Sequence, residues 1–286
     1  MRISTPLLLL LHLTVLFGGM PPAVPPQRPI TLPGCPEKCG NKTIPYPFGT
    51  KEGCYFDYSF NVYCNNNSFA TLNMQFMLRT DAHYLFGPEQ QQNTAVTTTN
   101  MTWWTVGLLG VDVARGEAMM AMPVSSDCSR NESYHDLTYY TMNLNGSTTF
   151  LFSATRNVLL GVGQSVIPVL FGQMIAGTNY SAALQVASLF DEPSTAGRDG
   201  MACVGLGCCE ATLAPGLSLI TTAMYAQRNT MWKTFPCTYS VAELYGYGAF
   251  DKKFPDGVPL VLDFAIRNDS CPADGTKTLP MGCRSR

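Results

Sequence analysis

Few residues in this chain are of the types that make and break bonds. Of its three histidines, His12 falls in an apolar N-terminal run, leaving His83 and His135 as candidate bases or metal ligands. His135 beside Asp136 could be half of a Ser-His-Asp relay, but no serine sits in a G-x-S-x-G turn and no third partner is identifiable. The pair therefore reads as an exposed loop pair. There is no H-E-x-x-H, no G-x-x-x-x-G-K, no G-x-G-x-x-G opening a helix and no kinase signature, so zinc hydrolysis and nucleotide chemistry lack motif support. The paired carboxylates of a glycosidase leave no linear trace and are ranked last. Cys203-x4-Cys208-Cys209 resembles a metal cluster only superficially, because adjacent cysteines suit two disulfides leaving in different directions. Trp103 and Trp104 offer a flat apolar face to a sugar ring. Neighbours on a strand point to opposite sides, so at most one is exposed, and for either alone burial in the core is the expectation.

The composition narrows the setting for these groups. Lys and Arg number 18 against 20 Asp and Glu, the net charge is -2, and charged residues make up 13% of the 286. A chain with 46% hydrophobic residues and so little charge is neither a disordered tail nor a nucleic-acid binder. Residues 7–17 form an apolar run of about half the length a bilayer-spanning helix needs, followed by glycines and prolines. We expect a signal peptide over residues 1–23, a Pro-rich linker over 24–34, secretion, and no membrane span. The second apolar stretch, residues 158–176, is interrupted by Gly, Gln and Pro and reads as a strand pair. Sequons begin at Asn41, Asn66, Asn100, Asn131, Asn145, Asn179 and Asn268, as expected of a glycosylated extracellular surface. In that compartment Cys35, Cys39, Cys54, Cys64, Cys128, Cys203, Cys208, Cys209, Cys237 and Cys271 are expected in disulfides. Eleven is odd, so at least one cysteine is left over.

The elements that must position these residues are mostly strands. Short β-favouring runs cover residues 59–63, 73–78, 94–99, 103–109, 117–122, 148–153, 158–162, 166–171, 217–225 and 260–267, separated by Asn, Gly, Pro or Asp. In the last run Leu260, Leu262, Phe264 and Ile266 alternate with Val261, Asp263, Ala265 and Arg267, the pattern of a half-buried strand. The one helical signal is weak, at residues 181–190. The fold class expected is mainly β and disulfide-rich, built as two small β modules, 35–128 and 129–286, with irregular Cys-rich loops.

From Cys35 the chain reads C-P-E-K-C-G-N-K-T-I-P-Y-P-F-G, followed by Gly53-Cys54 and, ten residues on, Cys64. This resembles the galacturonan-binding N-terminal module of the plant wall-associated receptor-like kinases. The resemblance continues through the block from Phe152 to Asn157, Cys203-Val204-Gly205-Leu206-Gly207-Cys208-Cys209-Glu210, Phe235-Pro236-Cys237-Thr238-Tyr239, and the block from Val261 to Asn268. Three cysteines of the family pattern are missing, at Gln164, Val186 and Phe190, which accounts for the odd count. Cys283 is a further candidate for a lost partner. Family members continue from this point into growth-factor-like repeats, a membrane span and a cytoplasmic kinase, so this chain, ending at Arg286, is expected not to phosphorylate anything itself.

The resemblance implies non-covalent, non-catalytic binding of pectin, chiefly de-esterified homogalacturonan, in the cell wall. Cationic side chains, backbone N–H groups or a bridging Ca2+ are the means of holding a polycarboxylate, with no other cofactor implied. Between Cys35 and Cys128 five basic residues face eight acidic ones, a net of -3, and every cation except Lys42 has an acidic residue within two positions. Lys42 is the first candidate contact, then Lys51 and Arg79, with Tyr46 and Tyr55 as stacking surfaces. The acidic balance also supports a rival reading, an extracellular interaction or decoy protein whose partner is a receptor ectodomain.

Overall fold

The computed structural model describes residues 30–65, 69–84, 95–131, 134–144, 149–163, 167–174, 177–183, 208–225, 232–234, 236–244 and 257–266. The expected leader, the sequons at Asn66, Asn145 and Asn268, and Cys203 and Cys271 lie outside them. Strands dominate what is described, with a single 3-10 turn at Tyr58–Phe60, so the fold is mainly β and disulfide-bonded.

A two-residue turn at Gly40 and Asn41, with Gly40 at φ 61°, joins β1 (Lys38–Cys39) to β2 (Lys42–Thr43) in a small hairpin. The rest is one branched antiparallel sheet. At its centre a long ribbon pairs β4 (Phe69–Tyr84) with β5 (Ala95–Asp112). β3 (Val62–Asn65) and β8 (Tyr134–Asn143) share the other edge of β4. Beyond β5 come β6 (Glu117–Met122), β16 (Val258–Phe264) and β9 (Phe150–Phe152). Beyond β8 one branch runs through β7 (Ser125–Ser129), β15 (Cys237–Leu244), β10 (Asn157–Val162) and β13 (Cys208–Thr212). The other branch runs through β14 (Leu217–Tyr225), β11 (Ile167–Met174) and β12 (Asn179–Ala183). β7 spans the position where the two expected modules meet, and hydrogen bonding continues through it.

Alternation assigns the inner face. Val62, Ala70, Leu72, Val106, Leu108, Met120, Met122, Tyr140 and Met142 are all buried, each from the core side of its strand. The first Cys-rich stretch joins this core through Phe48, whose ring meets Phe60 and Phe264 edge-on, both at 5.1 Å between centroids. Asn157 supplies a second tie. Fully buried at the start of β10, its Nδ2 donates to the carbonyls of Ser153 (2.9 Å) and Val261 (2.7 Å), and its Oδ1 accepts from Val261 N–H (2.9 Å). One amide side chain thus presents β16 with the donor and acceptor that a neighbouring strand would.

Several local expectations are corrected. Residues 260–267 alternate in type, yet Val258–Leu262 are buried on both sides because β16 is an inner strand between β6 and β9. The two strands in residues 158–176 do not pair with each other: β10 lies between β13 and β15, and β11 between β12 and β14. They stack instead, and a Cβ on Gly161 would collide with the Pro168 ring. The weak helical signal at residue 181 begins inside β12, where pairing to β11 overrides it.

Asn157→Ala removes the acceptor for Val261 N–H in a closed core. We expect a loss of about 2–4 kcal/mol in stability, read as a lowered urea midpoint at unchanged m-value.

Candidate functional site

The side of the β3–β4–β5 region that faces away from the core carries an unusual set of residues. Register places Tyr63 opposite Thr71, Asn65 opposite Phe69, Thr71 opposite Gly107 and Met77 opposite Trp103. Directly paired residues share a face, so Tyr63, Phe69, Gly107 and Trp103 all lie on this outer side. Tyr63, Phe69 and Trp103 are exposed, Trp103 at 65%, and Phe171 of β11 is also exposed. The expectation that either tryptophan is core is therefore corrected for Trp103. A strand must turn every second residue outward whatever its type.

At one end of this face the aromatic groups are organised around a cation. The Phe69 ring lies over Gly107, where an added Cβ would sit 3.1 Å from Cζ, so the missing side chain is what lets the ring settle on the strand. Lys42 Nζ stands over the same ring, 5.9 Å from its centroid. The hairpin that carries Lys42 is fastened to β3 by the Cys39–Cys64 disulfide, and Cys35–Cys54 closes the segment that contains it. Beside it, the hydroxyls of Tyr58 and Tyr63 share a hydrogen bond of 2.6 Å. That bond raises the Tyr58 phenol above its ordinary range, so it remains a neutral donor and acceptor. Farther along β4, the Arg79 guanidinium stacks on Tyr139 of β8 at 5.3 Å.

The other sequence candidates are placed differently. Lys51 is exposed in the loop before Cys54, away from these strands, and Tyr55 is half-buried against the core. Tyr46 is half-buried, its N–H bonded to the carbonyl of Ile30. Sequence reasoning missed Phe69, Tyr63 and Tyr58, since only register brings them beside Lys42.

Charge is distributed against the impression its sum gives. Asp112 bonds Arg115 at 2.8 Å, Glu117 lies between Arg115 (3.4 Å) and Arg156 (3.3 Å), and Asp127 is buried against His135. Among the described residues no ion pair involves Lys42. The outer residues Tyr63, Asn65, Phe69, Thr71, Met77, Arg79, Trp103, Thr105, Tyr139 and Thr141 include no acid.

His135 is not the exposed loop pair expected with Asp136. It sits on β8, 1% exposed, and its Nδ1 contacts Asp127 at 2.8 Å and Ser129 Oγ at 3.4 Å, while Asp136 pairs with Arg130. Carboxylate and hydroxyl meet the same ring nitrogen, so the three groups do not form a relay, which needs one partner on each nitrogen. Among the described residues no group of His, Cys, Asp and Glu could hold a metal ion.

Among the cysteines, Cys128 pairs with Cys237 across β7 and β15, and Cys208 is disulfide-bonded. Cys209, expected in a disulfide, is instead a buried free thiol. Its strand runs beside Gly161, and burial pushes the thiol up to about 11. Asn41, Asn131 and Asn179 are exposed, and Asn100 lies within β5.

Residues 35–82 match the family described as wall-associated receptor kinase galacturonan-binding. The chain is similar to wall-associated receptor kinases over most of its length. Wall-associated receptor kinase 4 of Arabidopsis thaliana is 24% identical over 263 residues, 86% of this chain and 30% of that protein. Wall-associated receptor kinase 1 of the same plant is 26% identical over 265 residues, 86% of this chain and 29% of its own. Wall-associated receptor kinase-like 10 is 50% identical over a 34-residue stretch. The chain spans about 30% of the length of the first of these relatives. No solved structure matches. Lys42 and Phe69 both fall inside the matched segment, whereas Trp103 and Tyr139 lie beyond it. Among the described residues no helix is long and apolar enough to cross a membrane.

With its thiol proton held to about pH 11, Cys209 should stay unlabelled by a maleimide or aromatic disulfide reagent at pH 8 in the folded protein. Peptide mapping after denaturation should show it labelled within minutes.

Proposed function

We propose that this chain binds de-esterified galacturonan in the cell wall, without catalysis, through the outer sheet face at Lys42, Phe69, Tyr63 and Tyr58. The observation that carries this reading is Lys42 held over an exposed Phe69 ring, with no ion pair to it among the described residues. A uronate residue has an apolar ring face and a carboxylate. Phe69 suits the first, the Lys42 ammonium the second, and the Tyr58–Tyr63 hydroxyls suit the sugar hydroxyls between them. The galacturonan-binding description of the family that residues 35–82 match supports the same ligand. Disulfides fit an oxidising extracellular setting. We place the chain, after removal of its leader, in that setting as a glycosylated wall protein. Contact is direct on this reading, with no Ca2+ bridge.

Lys42→Gln should lower affinity for polygalacturonate on the order of ten-fold, the scale of one hydrogen bond to a charged group, while leaving the melting temperature unchanged. Retention should fall with rising salt and on methyl-esterified pectin, and survive a chelator. Undiminished binding by a folded Lys42→Gln protein would remove the site, and loss on chelation would replace direct contact by a calcium bridge.

A further inference from the structure

The hairpin of β11 and β12 brings a sequon and an exposed aromatic ring to one face of the sheet. Asn179-Tyr180-Ser181 opens β12. Tyr180 and Ala182 pack against the core, so Asn179 and Ser181 turn outward together, and both are exposed. They are the sugar acceptor and the hydroxyl that the transfer requires. Register sets Ser181 directly opposite Phe171 and Asn179 opposite Gln173. Phe171 shares that outer face, 45% exposed, and is the diagonal cross-strand neighbour of Asn179, about 7–8 Å away at the backbone. Its direct neighbours on the two flanking strands, Ser181 and Thr221, are too small to cover a phenyl ring. Gln173 donates its amide to the Gly177 carbonyl in the hairpin turn at 3.4 Å, which draws it away from Phe171. A large apolar ring is left open beside a side chain whose Nδ2 can take an oligosaccharide.

We propose that Asn179 carries an N-linked glycan whose first N-acetylglucosamine lies on the Phe171 ring, so that the sugar completes this face of the sheet. This rests on the secretion of the chain, part of the proposed function, and not on the galacturonan site. The donor is an oligosaccharide linked to a polyprenyl diphosphate. Asn179 Nδ2 bonds to C1 of its reducing-end sugar while the C1–O bond to the diphosphate breaks. The amide loses one proton and the lipid diphosphate leaves. Transfer acts on the chain as it emerges, so the part of the fold is to leave room for the product. Among the described residues β12 pairs with β11 alone and is the outermost strand of its branch. A pyranose ring has a face of C–H groups that packs on an aromatic ring as another apolar group does. Held through Asn179, the sugar reaches Phe171 without the loss of translational freedom that an unattached ligand suffers.

The test takes the full chain secreted from a eukaryotic host. Glycopeptide mass spectrometry should find Asn179 occupied. Asn179→Gln should lower the melting temperature by about 2–4 °C, the scale of one lost apolar contact in a chain of this size. Ser181→Ala, which blocks the transfer but keeps Asn179, should reproduce that shift. In a Phe171→Ala background Asn179→Gln should shift the midpoint by less than about 1 °C, since the partner of the sugar is already gone. Trimming the glycan of the folded wild type to its first sugar with an endoglycosidase should leave the melting temperature unchanged. A fall on trimming, or equal shifts in both backgrounds, overturns the stacking on Phe171. A bare Asn179 in a folded chain that is glycosylated at other sequons overturns the site and leaves secretion intact. A chain recovered from that host with no sugar at any sequon overturns the secretory reading, and this proposal with it.

Discussion

A strand cannot choose which of its residues to bury; it can only choose a phase. Along β4 and β5 that phase is fixed by Ala70, Leu72, Val106 and Leu108, which close the core, and everything else about the outer face follows. Phe69, Thr71, Thr105, Gly107 and Trp103 are turned to the outer side by their neighbours' burial. The large aromatic residues among them remain uncovered in the described structure, against the ordinary economy of a globular surface. Shifting either strand by one residue would bury its own outer residues and expose its share of the core. The face is therefore as firmly specified as the core itself, which is what a binding surface needs if its groups are to stay at fixed spacing.

Whether such a face attracts or repels a polyanion depends on local charge, and here the net charge misleads. The eight acids between Cys35 and Cys128 outnumber the bases, but those described on β5, β6 and β7 are spent on Arg115, Arg156 and His135. Among the described residues of the β3–β4–β5 side, Lys42 and Arg79 are each backed by an aromatic ring. A polar side chain on an aromatic ring loses little hydration and less rotamer freedom on binding than one that ranges freely, so few cations suffice.

Much of the architecture was legible in the sequence because it is written in local signals. The runs at residues 117–122 and 217–225 became β6 and β14 with the same bounds, and the Cys-Gly-Pro density marked the stapled N-terminal stretch. What was not legible depended on pairing between distant segments. Residues 260–267 carry an alternating pattern, yet Val258–Leu262 are buried on both sides, since an inner position in the sheet is decided by β6 and β9. Lys42 was legible by the simple lack of a nearby acid, whereas Phe69 and Tyr63 were silent until register placed them beside it. His135 was misread for the same reason, its partner Asp127 lying on another strand eight residues away. Cys209 shows the limit of counting: an odd total says that at least one thiol is left over, and the fold identifies Cys209 as a free one among the described residues.

The Cys39–Cys64 bond does more than close a loop in the unfolded chain. It joins the hairpin that carries Lys42 to β3, the strand that carries Tyr63 and pairs with Phe69, so the cation is covalently tied to the strand beside its aromatic floor. A wall polymer under tension pulls on whatever grips it, and a two-residue strand pair such as β1–β2 would peel under very little force if hydrogen bonds alone held it. With the disulfide in place the pull passes through sulfur into β3 and β4, and from there across the breadth of the sheet. On the proposed reading the site is a mechanical anchor, whose grip would be set by weak contacts to the sugar and whose footing is a covalent bond.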